Sequence, residues 1–311
     1  MEYTTDNYEN IFSDQLTDNI VIHDHLGGFL PGYKNYILEH INNNYPGSTV
    51  IVSTLLLPEV NEKYSNIKFE YNHPYFLFSS LETYFTHPEI KFENFVCSFN
   101  GGSHVSRQIL TSMLHKQGMF DSRYSSKNFV VSPESVFGHI SNYVDNPELC
   151  SKFIIDFNSE FYNTNYSFGF LKNKHEKNIY NLEGKITNSF LHLVSESMAT
   201  SAHPFVTEKF LYSIVTRGLY LAYGQVGWHS FVEKYFGFRK FEKIFNYEFD
   251  EIQNPIHRLI KLLEMINKFK TLSKDDWRDL YLMEQETIEF NHQHYFSKGY
   301  LKQLKRVAEF K

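Results

Sequence analysis

Short runs rich in β-branched and aromatic residues alternate along this chain with stretches whose apolar residues recur at helical spacing. That alternation limits the possible folds more than any other feature. The first run is NIVIH at 19–23. A helical pattern follows from Tyr33 to about Asn43, and TVIVSTLLL at 49–57, closed by Pro58, reads as the next strand. Strand, glycine-containing loop, helix and strand is the order of a βαβ unit. NIKFEY at 66–71 fits a further strand. Strands joined by helical crossovers lie parallel in one sheet.

The pattern restarts near residue 92. FENFVCSF at 92–99 reads as a strand and Asn100-Gly101-Gly102-Ser103 as a loop. Val105, Ile109, Leu110, Met113 and Leu114 then repeat at helical spacing up to a stop at Gly118. Residues 140–180 are rich in Asn, Tyr and Ser and show no clear period. From 190 the alternation resumes with FLHLVSES as a strand and a helix from Glu208 to about Arg217, ended by Gly218. LYLAYG at 219–224 is a buried-type strand, and a helix over about 228–236 ends at Gly237. A helical period also follows Pro255, and 298–311 forms a terminal helix carrying Lys298, Lys302, Lys305, Arg306 and Lys311. The expected boundary lies near residue 90: a first lobe at 1–90, a second at 91–290, and a C-terminal helix at 291–311 that packs back on the first lobe.

The 311 residues suffice for two modest domains, and a hydrophobic fraction of 42% can build their cores. Aromatics reach 17%, with 30 Phe and 22 Tyr, so a single aromatic residue carries little functional information. A net charge of −6 builds no long-range attraction to nucleic acid into the whole molecule. The two cysteines, Cys97 and Cys150, have no metal-type spacing and imply no disulfide framework. The opening MEYTTDNYENIFSDQL lacks a basic segment followed by an apolar one, and no apolar run approaches the roughly 20 residues that span a bilayer. The expectation is a cytoplasmic protein without membrane insertion.

The most informative stretch is 194–250. A strand delivers Ser195, Glu196 and Ser197 to the carboxyl edge of a sheet, and a loop then delivers Thr207, Glu208 and Lys209 to a helix N-terminus. Ligands of open α/β sheets bind at that edge, and a helix N-terminus attracts phosphate. A lysine there adds charge against a pyrophosphate, and a carboxylate can accept hydrogen bonds from both ribose hydroxyls.

The string VSES, FVTEKF, YLAYG, GFRKF and DEI resembles the donor-binding half of a glycosyltransferase group found in phages, giant viruses and bacteria. That group is similar in turn to the α-1,3-fucosyltransferase family, in which a Thr-Glu-Lys segment holds the nucleotide. FVCSFNGGSHVSRQILTSMLHKQGMFDSRYSS at 95–126 resembles the first strand, loop and arginine-bearing helix of the same donor domain. The resemblance covers roughly residues 92–270. It implies an α/β fold of two Rossmann-like lobes facing each other across a cleft, the B-type (GT-B) arrangement. It implies a nucleotide-sugar donor held by Arg107, Asn100, Ser195, Glu196, Thr207, Glu208 and Lys209. Arg107 and Lys209, with backbone N–H groups near Thr207, would face the diphosphate, and Glu208 the ribose. The implied reaction is transfer to a hydroxyl of a glycan or of a hydroxymethylated DNA base. A non-catalytic binding protein on the same scaffold is the alternative.

In the first lobe, His23-Asp24-His25-Leu26-Gly27-Gly28 follows a strand. Asp24 or His25 is suited to deprotonate an acceptor hydroxyl. The same loop also reads as structural, and a metal reading lacks a third ligand at a recognisable spacing. His292 and His294 fall on different helix faces. The chain has no Gly-x-x-x-x-Gly-Lys-Ser/Thr, Gly-x-Ser-x-Gly, His-Glu-x-x-His or Asp-x-Asp motif. The expectation is therefore transfer without a metal or other cofactor, cationic side chains holding the donor diphosphate.

Overall fold

The first alternating stretch forms four parallel strands, β1 (Glu2–Thr4), β2 (Asn19–His23), β3 (Thr49–Thr54) and β4 (Ile67–Tyr71), in the order β1-β2-β3-β4. The register pairs Glu2 with Val21, Ile20 with Val50 and Ile51 with Lys68. Helix α1 (Asn35–Asn44) lies between β2 and β3 in sequence and buries Ile37, Leu38 and Ile41 while exposing Tyr36 and Glu39. Along β2, Ile20 and Ile22 are buried and Val21 is half-buried, the period of two that a strand imposes. The structure, a computed structural model, describes residues 2–4, 10, 12, 19–23, 35–45, 49–54, 67–71, 81–84, 86, 88–144, 159–169, 175–196, 199, 204 and 206–309. Among them are eleven α-helices.

The second stretch builds another parallel sheet. Strand β5 (Asn94–Cys97) pairs with β8 (Ser189–Ser195), and β8 pairs with β9 (Tyr220–Tyr223). The strand expected over 92–99 is broken at Ser98, after which β6 (Phe99–Asn100) pairs with β7 (Ser126–Lys127). Ser98 joins the two ladders: its carbonyl accepts from the Ser126 amide at 2.9 Å, and its hydroxyl donates to the Leu193 carbonyl at 2.8 Å. The spatial order is therefore β7, β5/β6, β8, β9. Every residue of β8 is buried, which requires cover on both faces. Helices α2 (Val105–Lys116) and α6 (Lys209–Thr216) both pack on it.

The segment without a clear period contains α3 (Pro133–Ser141) and α4 (Glu160–Asn163), followed by α5 (His175–Thr187), which packs on β8 and α6. After β9 come α7 (Trp228–Phe236), α8 (Pro255–Asn267), α9 (Lys274–Met283), α10 (Gln285–Phe296) and α11 (Gly299–Glu309). Helix α8 starts at an Asn254 cap with Pro255 in its first turn, and α9 starts with a Ser273–Asp276 capping box. Helix α11 packs on α7 and α10, and its start meets Glu82 through Tyr300 at 3.1 Å and Lys298 at 3.0 Å. The aromatic excess goes largely into the core. Phe190 stacks on Phe95 and on Trp277, with centroids 6.1 and 5.8 Å away. One core cluster gathers residues from Leu81 to Leu304; Ile20, Ile22, Ile37, Leu38 and Ile41 are buried outside it.

Helix ends differ in mechanism. Gly118 and Gly237 take the left-handed backbone expected of a helix stop, with φ of 62° and 78°. Gly218 does not end α6. Arg217 adopts the left-handed conformation instead, with φ 57°, and the Gly218 amide closes the turn on the Ser213 carbonyl at 2.8 Å. Glycine is needed at 218 for space, because a Cβ there would lie 2.7 Å from Ile186 Cγ2.

Gly224, just after β9, is tighter still. A Cβ there would lie 2.6 Å from Cδ1 of the fully buried Trp228. Gly224→Ala is expected to lower stability by about 1–3 kcal/mol, the usual cost of overpacking. Urea unfolding followed by tryptophan fluorescence measures it, and an unchanged midpoint would show that Trp228 can move aside.

Candidate functional site

From β5/β6 the chain first crosses outward to β7, then returns to place β8 on the opposite side and continues to β9. The direction of strand addition reverses between β6 and β8. The carboxyl edge beside such a reversal is where open α/β sheets bind ligands. The loop after β6 is Gly101 to His104, leading into α2. The loop after β8 begins at Glu196 and returns through Val206, Thr207 and Glu208 into α6. The residues that the sequence singles out at 100, 107, 195, 196 and 207–209 all belong to these two strand ends and helix starts.

On the α2 side, Asn100 is fully buried, and its amide donates to Ser98 Oγ at 3.1 Å and the Ser126 carbonyl at 3.3 Å. Arg107, in the first turn of α2, is buried and comes close to the Gly101-Gly102 loop. A Cβ on Gly102 would lie 3.1 Å from Arg107 Nη1. Ser106 Oγ donates to the Glu196 carbonyl at 3.0 Å and so fastens α2 to the end of β8. Sequence reasoning missed Ser106. Its position beside Arg107 was visible, but a serine one residue into a helix has many uses.

On the α6 side, Glu196 is fully buried. Its carboxylate accepts from the Thr207 amide at 3.1 Å and from Thr207 Oγ1 at 2.9 Å. Lys209 Nζ lies 3.5 Å from Glu196 Oε2 and donates to Thr207 Oγ1 at 2.7 Å; 15% of the lysine side chain is exposed. Glu208 is half-buried at the N-cap of α6. The Thr207 amide, expected to face a donor phosphate, is instead engaged by Glu196, so Glu196 and Thr207 position Lys209 from within. Ser195 is also fully buried. Arg107, Glu208 and Lys209 are then the charged side chains of this group that border the two loops.

Burial lowers the pKa of Arg107, with Glu196 and Glu208 opposing that shift. Lys209 is likewise held below the ordinary lysine value, by burial first, against the pull of Glu196, and with Arg107 adding to the depression. His104 is lowered by burial, then by Arg107 and Lys209. One compact group therefore holds two cations, two carboxylates and an imidazole. Added to two helix N-termini, the cations make an arrangement suited to an anion.

Asp24 and His25 lie outside the described residues. His292 is buried on α10, and His294 Nε2 lies 2.7 Å from the Phe236 carbonyl. No group of three or more His, Cys, Asp or Glu with metal-binding geometry occurs among the described residues. Burial pushes the Cys97 thiol up to about 12, so it is not a nucleophile at neutral pH. An open groove of about 620 Å³ is lined by residues 242–248 and Glu251; none of the residues singled out in the sequence lines it. Among the described residues no helix is long and apolar enough to cross a membrane.

Glu196→Ala would leave Lys209 largely buried without its carboxylate and Thr207 without its acceptor. The expected loss is about 3 kcal/mol. Glu196→Gln keeps an acceptor for Thr207 and should lose less. Paired urea titrations give the order, and equal midpoints for both variants and the parent would remove Glu196 as the anchor.

No family model, curated protein or solved structure matches this chain.

Proposed function

We propose that the crevice between β6 and β8 binds the diphosphate of a nucleoside-diphosphate sugar and that the protein transfers the sugar to a hydroxyl acceptor without a bound cation. The observation that carries this reading is the convergence of Arg107 and Lys209, from the first turns of α2 and α6, on the one strand reversal of the second sheet. The resemblance over residues 92–270 points to the same two side chains. In this reading Arg107 and Lys209 neutralise the leaving nucleoside diphosphate, preorganised charge being worth most where charge develops. Glu208 accepts from the ribose hydroxyls. Glu196 is a positioning residue, since its oxygens serve Thr207 and Lys209.

The separate burial of Ile20, Ile22, Ile37, Leu38 and Ile41 supports the two-lobed part of this reading, in which the acceptor would lie against the first lobe. Asp24 and His25 directly follow β2, as a base on that lobe would. The acceptor would be a glycan or a hydroxymethylated DNA base. Of the basic residues of the terminal helix that could serve DNA, Lys298 pairs with Glu82 and Lys302 is exposed. The side chains of Lys305 and Arg306, and all of Lys311, lie outside the described residues.

Glu208→Ala should weaken nucleotide-sugar binding while leaving the melting temperature of the free protein close to the parent's. Calorimetry and thermal unfolding read the two quantities, and unchanged affinity would take Glu208 out of the site. Transfer, or slow hydrolysis of the donor, should persist in excess chelator. Activity abolished by chelation and restored by manganese or magnesium would overturn the cation-independent reading. Tight nucleotide-sugar binding with neither transfer nor hydrolysis would favour the non-catalytic alternative.

A further inference from the structure

His104 closes the loop after β6 and occupies the N-cap of α2, with φ −59° and ψ 141°, and makes no side-chain cap hydrogen bond. That position usually carries Ser, Thr, Asp or Asn, whose oxygen accepts from the first helical amides. An imidazole there gives up that stabilisation, so a role toward a ligand is worth seeking. Its ring lies against Gly102. A Cβ on Gly102 would sit 3.4 Å from His104 Cδ2 and 3.6 Å from Nε2, as well as 3.1 Å from Arg107 Nη1. The missing side chain at 102 thus lets imidazole and guanidinium share one space. Three residues apart in the first turn, His104 and Arg107 present the same side of the helix. Unlike Arg107, His104 reaches solvent, while part of its ring is withdrawn against Gly102.

The charged groups that act on this ring are Arg107 on its own helix and Lys209 on α6; these two in turn face Glu196 at the end of β8 and Glu208 at the start of α6. The two strand ends at the same edge also carry unsatisfied polar atoms. Asn100 Oδ1 at the end of β6 and Ser195 Oγ at the end of β8 are buried with no hydrogen-bond partner. Buried polar atoms are rarely left so.

Resting on the diphosphate reading above, we propose that His104 is a third anion-binding group of the crevice and that it takes up a proton when the diphosphate binds. In the free protein, burial and the two neighbouring cations hold the imidazole below its ordinary value, so it is neutral at pH 7. A diphosphate adds two negative charges beside the ring, offsets Arg107 and Lys209, and raises the imidazole pKa in the complex. The sign follows from linkage. Below the pKa of the free protein, His104 is charged in both states and affinity is highest. As pH rises from there to the pKa of the complex, only the complex keeps the proton, and affinity falls. Above both values affinity is low and flat.

The test uses the full chain and two probes, UDP-glucose and GDP-mannose, whose diphosphate diesters titrate no proton near neutrality. Calorimetry at pH 7 in buffers of different ionisation enthalpy reads proton uptake, and titrations at pH 6 and 8 read affinity. The parent should take up a fraction of a proton and bind up to about tenfold more tightly at pH 6, one pKa unit being a factor of ten. His104→Gln should bind more weakly, without uptake and without that pH dependence. His104→Arg, with a permanent charge, should bind at pH 8 about as tightly as the parent does at pH 6, again without uptake. Binding by the parent with no buffer-dependent heat, or a pH dependence unchanged in His104→Gln, would overturn the role of His104 and leave the diphosphate site standing. Binding of neither probe at either pH would instead overturn the diphosphate reading and this inference with it.

Discussion

A single buried carboxylate fixes the geometry on which the crevice depends. Glu196 is taken wholly out of water at the end of β8, a costly position for a charge unless it is paired and hydrogen-bonded. The Thr207 amide and hydroxyl and the Lys209 ammonium meet that need. Because these partners lie at the start of α6, satisfying Glu196 brings the chain back to the strand it has just left. The Glu196 carbonyl holds Ser106, so α2 is anchored to the same residue. Two helices that leave different strands are thus registered against one strand end. That anchor adds to the packing of both helices on β8 in holding Arg107 and Lys209 near each other.

A net charge of −6 does not bar the anion site proposed at this cluster. Charges beyond about 8 Å are screened at physiological ionic strength, so local composition decides. Locally, Arg107 and Lys209 are balanced by Glu196 and Glu208. A neutral cluster is tolerable in the empty protein, whereas two unpaired buried cations would not be. Lys209 serves both sides of this balance: it completes the Glu196 cage and still keeps part of its side chain in contact with solvent. His104 is the most exposed member, so it is the one a ligand can reorganise at least cost.

Much of the architecture was legible because it rests on period. β2, α1, β3, β4, α2, β8, α6, β9 and α7 all lie where apolar spacing put them, since each must bury one face or stripe. Elements without that requirement escaped. β1 has three residues and is recognisable only by its pairing with β2, and α4 is four residues long. Helices α9 and α10 carry mixed polar sequences: α9 buries Trp277 alone, and three of the five residues that α10 buries are Thr287, Asn291 and His292, so neither gives a strong apolar period. The end of α6 was misplaced by one residue because a left-handed arginine is not something composition announces. At the site, sequence could nominate Glu196, Thr207 and Lys209 together. It could not distinguish a carboxylate facing a ligand from one enclosed by its neighbours, because that depends on how the loop folds back.

The two sheets also differ in the order in which their strands are added. The first adds its strands in chain order, β1-β2-β3-β4, so among the described strands there is no point at which adjacent loops part to opposite faces. The second reverses direction once, between β6 and β8. A crevice at the carboxyl edge is a consequence of such a reversal rather than of parallel strands as such. The second sheet brings strand ends, two helix N-termini and two cations to one place. The candidate residues Asn100, Arg107, Ser195, Glu196, Thr207, Glu208 and Lys209 all lie beside that reversal, at the ends of β6 and β8 and the starts of α2 and α6.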